Sequence, residues 1–122
     1  MIGYVTLGTN DFDRGAAFYD SIMCLLDAKR LWAYERGVAW GTEHDKPSLG
    51  LLKPFDGQPA TVGNGSMVAL KAPSPDVVDQ VHLLAITLGG QNEGDVGPRG
   101  EGFYGGYFRD LDGNKLCVYC HV

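Results

Sequence analysis

Three cysteines and three histidines are the side chains of this 122-residue chain best suited to nucleophilic or metal chemistry. Cys117-Val-Tyr-Cys120 spells C-x-x-C, the spacing of redox pairs and of half a zinc site. The run from Lys115 to His121 reads as a strand, however, and three strand steps span about 10 Å and turn the two sulfurs to opposite faces. Neither a disulfide nor a shared zinc ion is expected there. His44 falls in a turn, His82 on a helix and His121 near the end of the last strand, so the imidazoles are not expected to converge on one ion. His44 reads as a solvated turn residue and His82 as a helix-surface or boundary residue. His121 shares a strand face with Cys117 and Tyr119.

Alternation along a strand puts Lys115, Cys117 and Tyr119 on one face, and likewise Tyr107 with Arg109. Arg109 carries a planar fork that bonds a carboxylate, phosphate or enolate through two parallel contacts. Cys117 becomes a nucleophile only if a cation such as Arg109 or Lys115 lowers its pKa. Inert packing is its expected role. Cys117 and Arg109 are candidate catalytic residues.

The composition bounds the setting of that chemistry. With 44% apolar, 20% charged and 11% aromatic residues, the chain lies near the globular average. Its length suits one domain, 1–122, burying roughly two thirds of its unfolded surface. Ten basic side chains against 15 acidic ones give −5, and the cations are scattered, which argues against nucleic acid as a partner. No apolar run approaches the twenty residues a bilayer requires, and Met1 leads straight into Ile2-Gly3-Tyr4-Val5 without a basic leader. An odd, small cysteine count fits a reducing compartment, so a cytoplasmic protein with no membrane partner is expected.

The elements that must position these residues follow from periodicity. Ile2 to Leu7 is β-prone and stops at Gly8-Thr-Asn-Asp11, where Asn10 or Asp11 can cap a helix. Phe12, Ala16, Tyr19, Met23 and Leu26 then recur at helical spacing to about Leu26. Three β-like runs follow, Arg30 to Tyr34, Gly37 to Gly41 and Ser48 to Lys53, separated by turn-like segments. Residues 54–65 hold two prolines and three glycines and read as a connecting loop.

Beyond the loop the order repeats. Ser66 to Lys71 is strand-like, and Ser74-Pro75-Asp76 starts a helix with cap, first-turn proline and dipole-complementing acid. Val77, Val78, Val81, Leu84, Ala85 and Leu88 form its apolar face, and Gly89-Gly90 ends it. A short piece near Gln91 to Glu93 enters a glycine-rich segment, Gly94 to Gly106, expected as a plain connection or a mobile lid. Two strands, Phe103 to Arg109 and Lys115 to His121, close the chain around Asp110-Leu-Asp-Gly-Asn114, a strong hairpin sequence. The order is β-α-β-β-β twice, with modules of about 1–53 and 66–122. That predicts an α+β protein whose two curved sheets form an open cup.

This order, together with Tyr4-Val-Thr-Leu-Gly-Thr-Asn-Asp11, Ala17-Phe18-Tyr19 and Tyr107-Phe-Arg-Asp-Leu-Asp-Gly-Asn-Lys-Leu116, resembles the vicinal oxygen chelate superfamily of glyoxalase I, bleomycin-resistance proteins and extradiol dioxygenases. The resemblance covers the whole chain. It implies a concave ligand face carrying Tyr4, Thr6, Met67, Tyr107, Arg109, Cys117 and Tyr119. In metal-dependent members the first strand offers a His, the strand opening the second half another His, and the last strand a Glu shortly after Asp-Gly-Asn. Here those places hold Tyr4, Met67 and Cys117, and the remaining place, near residues 49–51, has no carboxylate or imidazole. A phenol, a thioether and a thiol form a poor set for a hard divalent ion. Tyr107 stands ten positions before Cys117, as a pocket tyrosine stands before the ligand Glu in extradiol dioxygenases, so the resemblance implies Tyr107 mainly as pocket lining and adds it to Cys117 and Arg109 as a candidate catalytic group.

The function expected from this resemblance is binding of a small organic molecule without a metal cofactor, as in bleomycin-resistance proteins. One alternative is a lyase or isomerase similar to glyoxalase I, or a dioxygenase-like metalloenzyme, using a divalent ion such as Ni or Zn held by unusual ligands. Another is a non-catalytic interaction domain. The resemblance also implies a homodimer.

Overall fold

The computed structural model describes all 122 residues. Strand β1 (Tyr4–Gly8) leads into α1 (Phe12–Cys24), then β2 (Lys29–Tyr34), β3 (Gly37–Gly41) and β4 (Ser48–Leu52). The second half repeats the pattern with β5 (Val68–Lys71), α2 (Pro75–Thr87), β6 (Gln91–Pro98), β7 (Phe103–Arg109) and β8 (Lys115–His121). Each half builds one four-stranded sheet, in the orders β1-β4-β3-β2 and β5-β8-β7-β6. In both, the first strand runs parallel to the last and the other pairs are antiparallel. This is the α+β arrangement of two βαβββ modules that the element order predicted. No helix is long and apolar enough to cross a membrane.

Local sequence explains the helix starts. The Asp11 carboxylate accepts from the backbone N–H of Arg14, and the Ser74 hydroxyl from that of Val77, each satisfying an otherwise orphaned donor. Gly89, at φ 107°, takes the left-handed conformation that ends α2 and that a β-carbon would disfavour.

Register decides which residues meet the helices. Val38 lies opposite Leu51 and Trp40 opposite Leu49, and this face of the first sheet packs under α1. In the second sheet Phe108 opposes Leu116, and Val118 continues the same face under α2. The helices also touch each other, and Phe18 of α1 approaches Phe108 of β7 with ring centroids 6.4 Å apart. One apolar cluster therefore spans both halves, from Ala16, Phe18 and Ile22 to Val78, Val81 and Leu116. Helices occupy one face of each sheet, and the other face stays open.

Two expectations need correction. The stretch from Gly94 was read as loop, yet β6 runs without a break from Gln91 to Pro98 and pairs with β7. Pairing overrides the weak strand preference of glycine, and the register slips at residues 92–97 take up the mismatch as bulges. Only residues 99–102 remain as a turn, so the segment is one arm of a hairpin and not a free lid. His82, expected at the helix surface or boundary, is buried: its ring lies over Gly106, and Nε2 sits 3.0 Å from the Tyr107 carbonyl oxygen. Helical periodicity alone does not register that Gly106 leaves room for an imidazole. His44, by contrast, lies exposed in a turn, as expected.

Candidate functional site

The residues assigned to a ligand face lie on the open sides of the two sheets. Tyr107 pairs with Cys117, Arg109 with Lys115 and Gly105 with Tyr119, so alternation sets Tyr107, Arg109, Lys115, Cys117 and Tyr119 on the face away from α2. In the first sheet Tyr4 and Thr6 face away from α1, with Trp32 and Tyr34 of β2 beside them. Met67 sits just before β5.

The sequence-expected residues differ sharply in exposure. Tyr4 is 65% and Met67 46% exposed, whereas Cys117 is 1% exposed. Thr6 is exposed, and Tyr107, Arg109 and Tyr119 are half-buried. Thr6, Met67 and Lys115 come together: they line a groove of about 470 Å³ bounded by β1, by the loop 61–66 and by the start of β8. Tyr4 lies outside it, in a separate hollow on the first sheet with Thr6, Trp32, Tyr34, Arg36 and Leu52. Lys115 links the groove to Tyr107, its Nζ lying 5.6 Å from the ring centroid.

Sequence reading missed the aromatic floor of the first sheet. Trp32 and Tyr34 lie 5.4 Å apart at an interplanar angle of 35°, and Tyr4 meets Trp32 edge-on at 6.4 Å. The floor beneath is glycine: a β-carbon on Gly50 would sit 3.7 Å from the Trp32 ring and 3.4 Å from the Thr6 methyl. Trp32 and Tyr34 flank Ala33 in alternation, which is the pattern that could have revealed them. On the second sheet Phe103 and Tyr119 stack at 5.0 Å, with planes 6° apart.

Electrostatics separates the cations. Arg109 donates from Nε to Glu93 Oε1 at 2.6 Å and from Nη1 to the Gly113 carbonyl at 2.9 Å, and the pairing holds the Glu93 carboxyl below its usual range. Its fork is therefore partly engaged, through Nε and Nη1. Arg99 lies 5.6 Å from the centre of the Tyr107 ring and donates only to backbone carbonyls, those of Asp95 and Pro98. Neither Arg99 nor Lys115 takes part in any of the three ion pairs of the protein. Burial pushes the Cys117 thiol up, outweighing the opposite pull of Tyr107, Arg99 and Lys115. A thiol so held is a weak nucleophile at neutral pH.

The arrangement of two βαβββ modules with open sheet faces has a close counterpart. A glyoxalase/bleomycin resistance protein from Albidiferax ferrireducens T118 superposes with a TM-score of 0.92 at 33% identity, over 100% of this chain and 99% of that one. The chain belongs to the glyoxalase/bleomycin resistance family. The same fold appears in a glyoxalase-related enzyme from Fulvimarina pelagi, at TM-score 0.77 and 17% identity, covering 99% of this chain and 88% of that one. It appears again in the fosfomycin resistance protein FosX from Listeria monocytogenes, at TM-score 0.71 and 17% identity, covering 100% and 93%. No family model matches the chain, and no curated protein matches it.

Metal-dependent members of the glyoxalase/bleomycin resistance family would need donors where this chain has few. The first-strand place holds the exposed phenol of Tyr4, and the place opening the second module holds the exposed thioether of Met67. In β8 stands the Cys117 thiol, buried and kept protonated. In segment 49–51, Leu49 and Leu51 turn into the core, and the residue on the open face is Gly50, with no side chain to offer. Nowhere in the protein do three His, Cys, Asp or Glu side chains converge. These residues do not fit a hard divalent ion.

Proposed function

We propose that this protein binds a small organic molecule in the groove between its sheets and does so without a resident metal ion. The observation that carries this reading is the meeting of Thr6, Met67 and Lys115 around a groove of about 470 Å³. That volume lies within the range of small-ligand sites. Thr6 connects it to the neighbouring hollow that Tyr4, Trp32 and Tyr34 line, and Lys115 connects it to the Tyr107 ring, so a ligand reaching beyond the groove would find aromatic surface.

A lyase or isomerase reading finds less support. The glyoxalase chemistry of the family relies on an ion that these side chains are ill suited to hold, and the residual group of Tyr107, Cys117 and Arg109 offers a protonated thiol and a partly occupied guanidinium. Binding by shape, stacking and a few polar contacts asks for none of these.

Thermal denaturation across a broad set of small acids, thiol conjugates and aromatic drugs tests the proposal. A ligand at one hundred times its dissociation constant should add about 2.7 kcal/mol and raise the melting temperature by several degrees. Silence across the set would overturn small-molecule binding and leave an interaction role. Stoichiometric Ni, Zn or Fe surviving dialysis would overturn the metal-free part. Pairing of two copies is part of the same proposal, and gel filtration checks it.

A further inference from the structure

In a chain of net charge −5, the open face of the second sheet gathers positive charge. Arg99, Arg109 and Lys115 converge around Tyr107 and Cys117, and Glu93 is the one carboxylate paired with any of them. Arg109 pairs with Glu93 through Nε and donates from Nη1 to the Gly113 carbonyl. Arg99 and Lys115 form no ion pair, although the charge of Lys115 also acts on Glu93. Lys115 is half-buried as a residue, and its ammonium lies 5.6 Å from the centre of the Tyr107 ring. The same side chain lines two adjoining hollows. One is the groove with Thr6 and Met67; the other, of about 480 Å³, is bounded by Asn64, Ser66, Met67 and Arg109. The ammonium therefore borders space large enough for a ligand, beside polar groups that can complete its contacts.

We infer that the molecule this groove accepts is an anion, a small carboxylate or phosphate, held by Lys115, with Arg109, Ser66 and Asn64 bordering the adjoining hollow and the charge of Arg99 acting from outside the lining. The inference rests on the small-molecule reading above and narrows it to one charge class. It adds Lys115 to Arg109, the anion holder expected from the sequence: Arg109 also borders the second hollow, while its bonds to Glu93 and Gly113 tie β6 and the β7–β8 turn together beside Lys115.

Amide NMR titrations with benzoate, its near-isosteric neutral partner benzamide, and inorganic phosphate test the assignment, at fixed ionic strength because added salt weakens such contacts. Benzoate or phosphate should move the Ser66, Met67 and Lys115 amides in a saturable way, and benzamide should bind about tenfold more weakly. Lys115→Met should cost about tenfold in affinity for the anion and Lys115→Arg should restore most of it, with Arg99→Gln showing a smaller loss. Benzoate and benzamide binding equally well, or Lys115→Met leaving affinity unchanged, would overturn the anion assignment. Neutral probes shifting these amides while anions do not would overturn it too, yet leave the groove as a binding site. If no probe binds there, both readings fall. Should Lys115→Met fail to fold, the comparison of benzoate with benzamide on the unaltered protein decides alone.

Discussion

Tyr19 on α1 donates its hydroxyl hydrogen to Asp110 Oδ2 at 2.6 Å across 91 positions of sequence, joining the first module to the closing hairpin of the second. Asp110 is buried and also accepts from the backbone N–H groups of Asp112 and Asn114 and from Asn114 Nδ2, all at 2.9 Å. Asn114 Nδ2 reaches the Gly8 carbonyl at 2.9 Å as well, and Asp112 accepts from the Asn10 N–H at 2.8 Å. The Asp-Leu-Asp-Gly-Asn turn is thus a clasp between modules as much as a hairpin, and it fixes β1 beside the start of β8, where the groove lies. No buried side-chain polar atom in the protein lacks a partner.

Tyr19→Phe removes the only side-chain donor that reaches Asp110 from the first module. It should destabilise the protein by about 1–3 kcal/mol, the cost of leaving a buried acceptor underbonded. Burial, and then the nearby Asp110 carboxylate, push the Tyr19 phenol well above its ordinary value of 10.0. A raised native pKa means that the contribution is fully present below the unfolded value and is lost as pH rises beyond it. Urea unfolding should therefore show wild-type stability falling above about pH 10, with a shallower fall for Tyr19→Phe. Equal slopes for the two proteins would contradict this.

Asp20 gives the opposite limb. The Arg30 guanidinium bonds both of its oxygens, at 2.9 and 2.8 Å, and Trp40 Nε1 donates at 2.8 Å. Chiefly through Arg30, the carboxyl is held below its ordinary value of 3.8. A lowered native pKa gives stability that is present at neutral pH and lost as pH falls through the native value. Because the pair is nearly half exposed, Asp20→Asn should cost about 1 kcal/mol or less at pH 7, and less at pH 2. Thermal unfolding at the two pH values measures the difference.

Thiol reactivity separates the three cysteines. Cys24 is exposed at the end of α1, while Cys117 and Cys120 are buried and Cys117 is held protonated by burial. A disulfide reagent at pH 7.5 should titrate one fast thiol in the native protein and three in denaturant. Cys24→Ser should remove the fast phase. Rapid native reaction in that variant would show Cys117 to be activated, reviving it as a nucleophile.

Gly106→Ala probes the packing behind Tyr107. A β-carbon there would lie 2.8 Å from Val96 Cγ1 and 2.9 Å from the His82 ring, neither of which can simply swing away. Overpacking of this kind costs about 1–3 kcal/mol. Chemical denaturation should show that loss, and the Tyr107 amide, next to the His82 contact, should shift in NMR spectra. Unchanged stability would mean that the helix-side packing yields more readily than the structure indicates.

The order of elements was legible because local physics carried it. Helical spacing from Phe12 to Met23, the Ser74-Pro75 start and the Asp-Gly turn each act over a few residues, and all three survive in the structure. Strand alternation placed Tyr107, Arg109, Lys115, Cys117 and Tyr119 on one face, which the register bears out. The Gly94 region misled because glycine reads as loop from composition alone, whereas pairing to β7 is a long-range event. His82 misled for the same reason, since the space it fills is made by a glycine 24 residues away.

What the sequence determined by itself is the doubled βαβββ order and the helix caps. Only the tertiary structure decided which charges are free. Arg109 and Lys115 are neighbours across one hairpin and look alike along the chain, yet a 2.6 Å contact with Glu93 occupies Arg109 while Lys115 faces a groove. That distinction rests on the pairing of β6 with β7, where the register slips around Glu93, and long-range pairing is something no local propensity encodes.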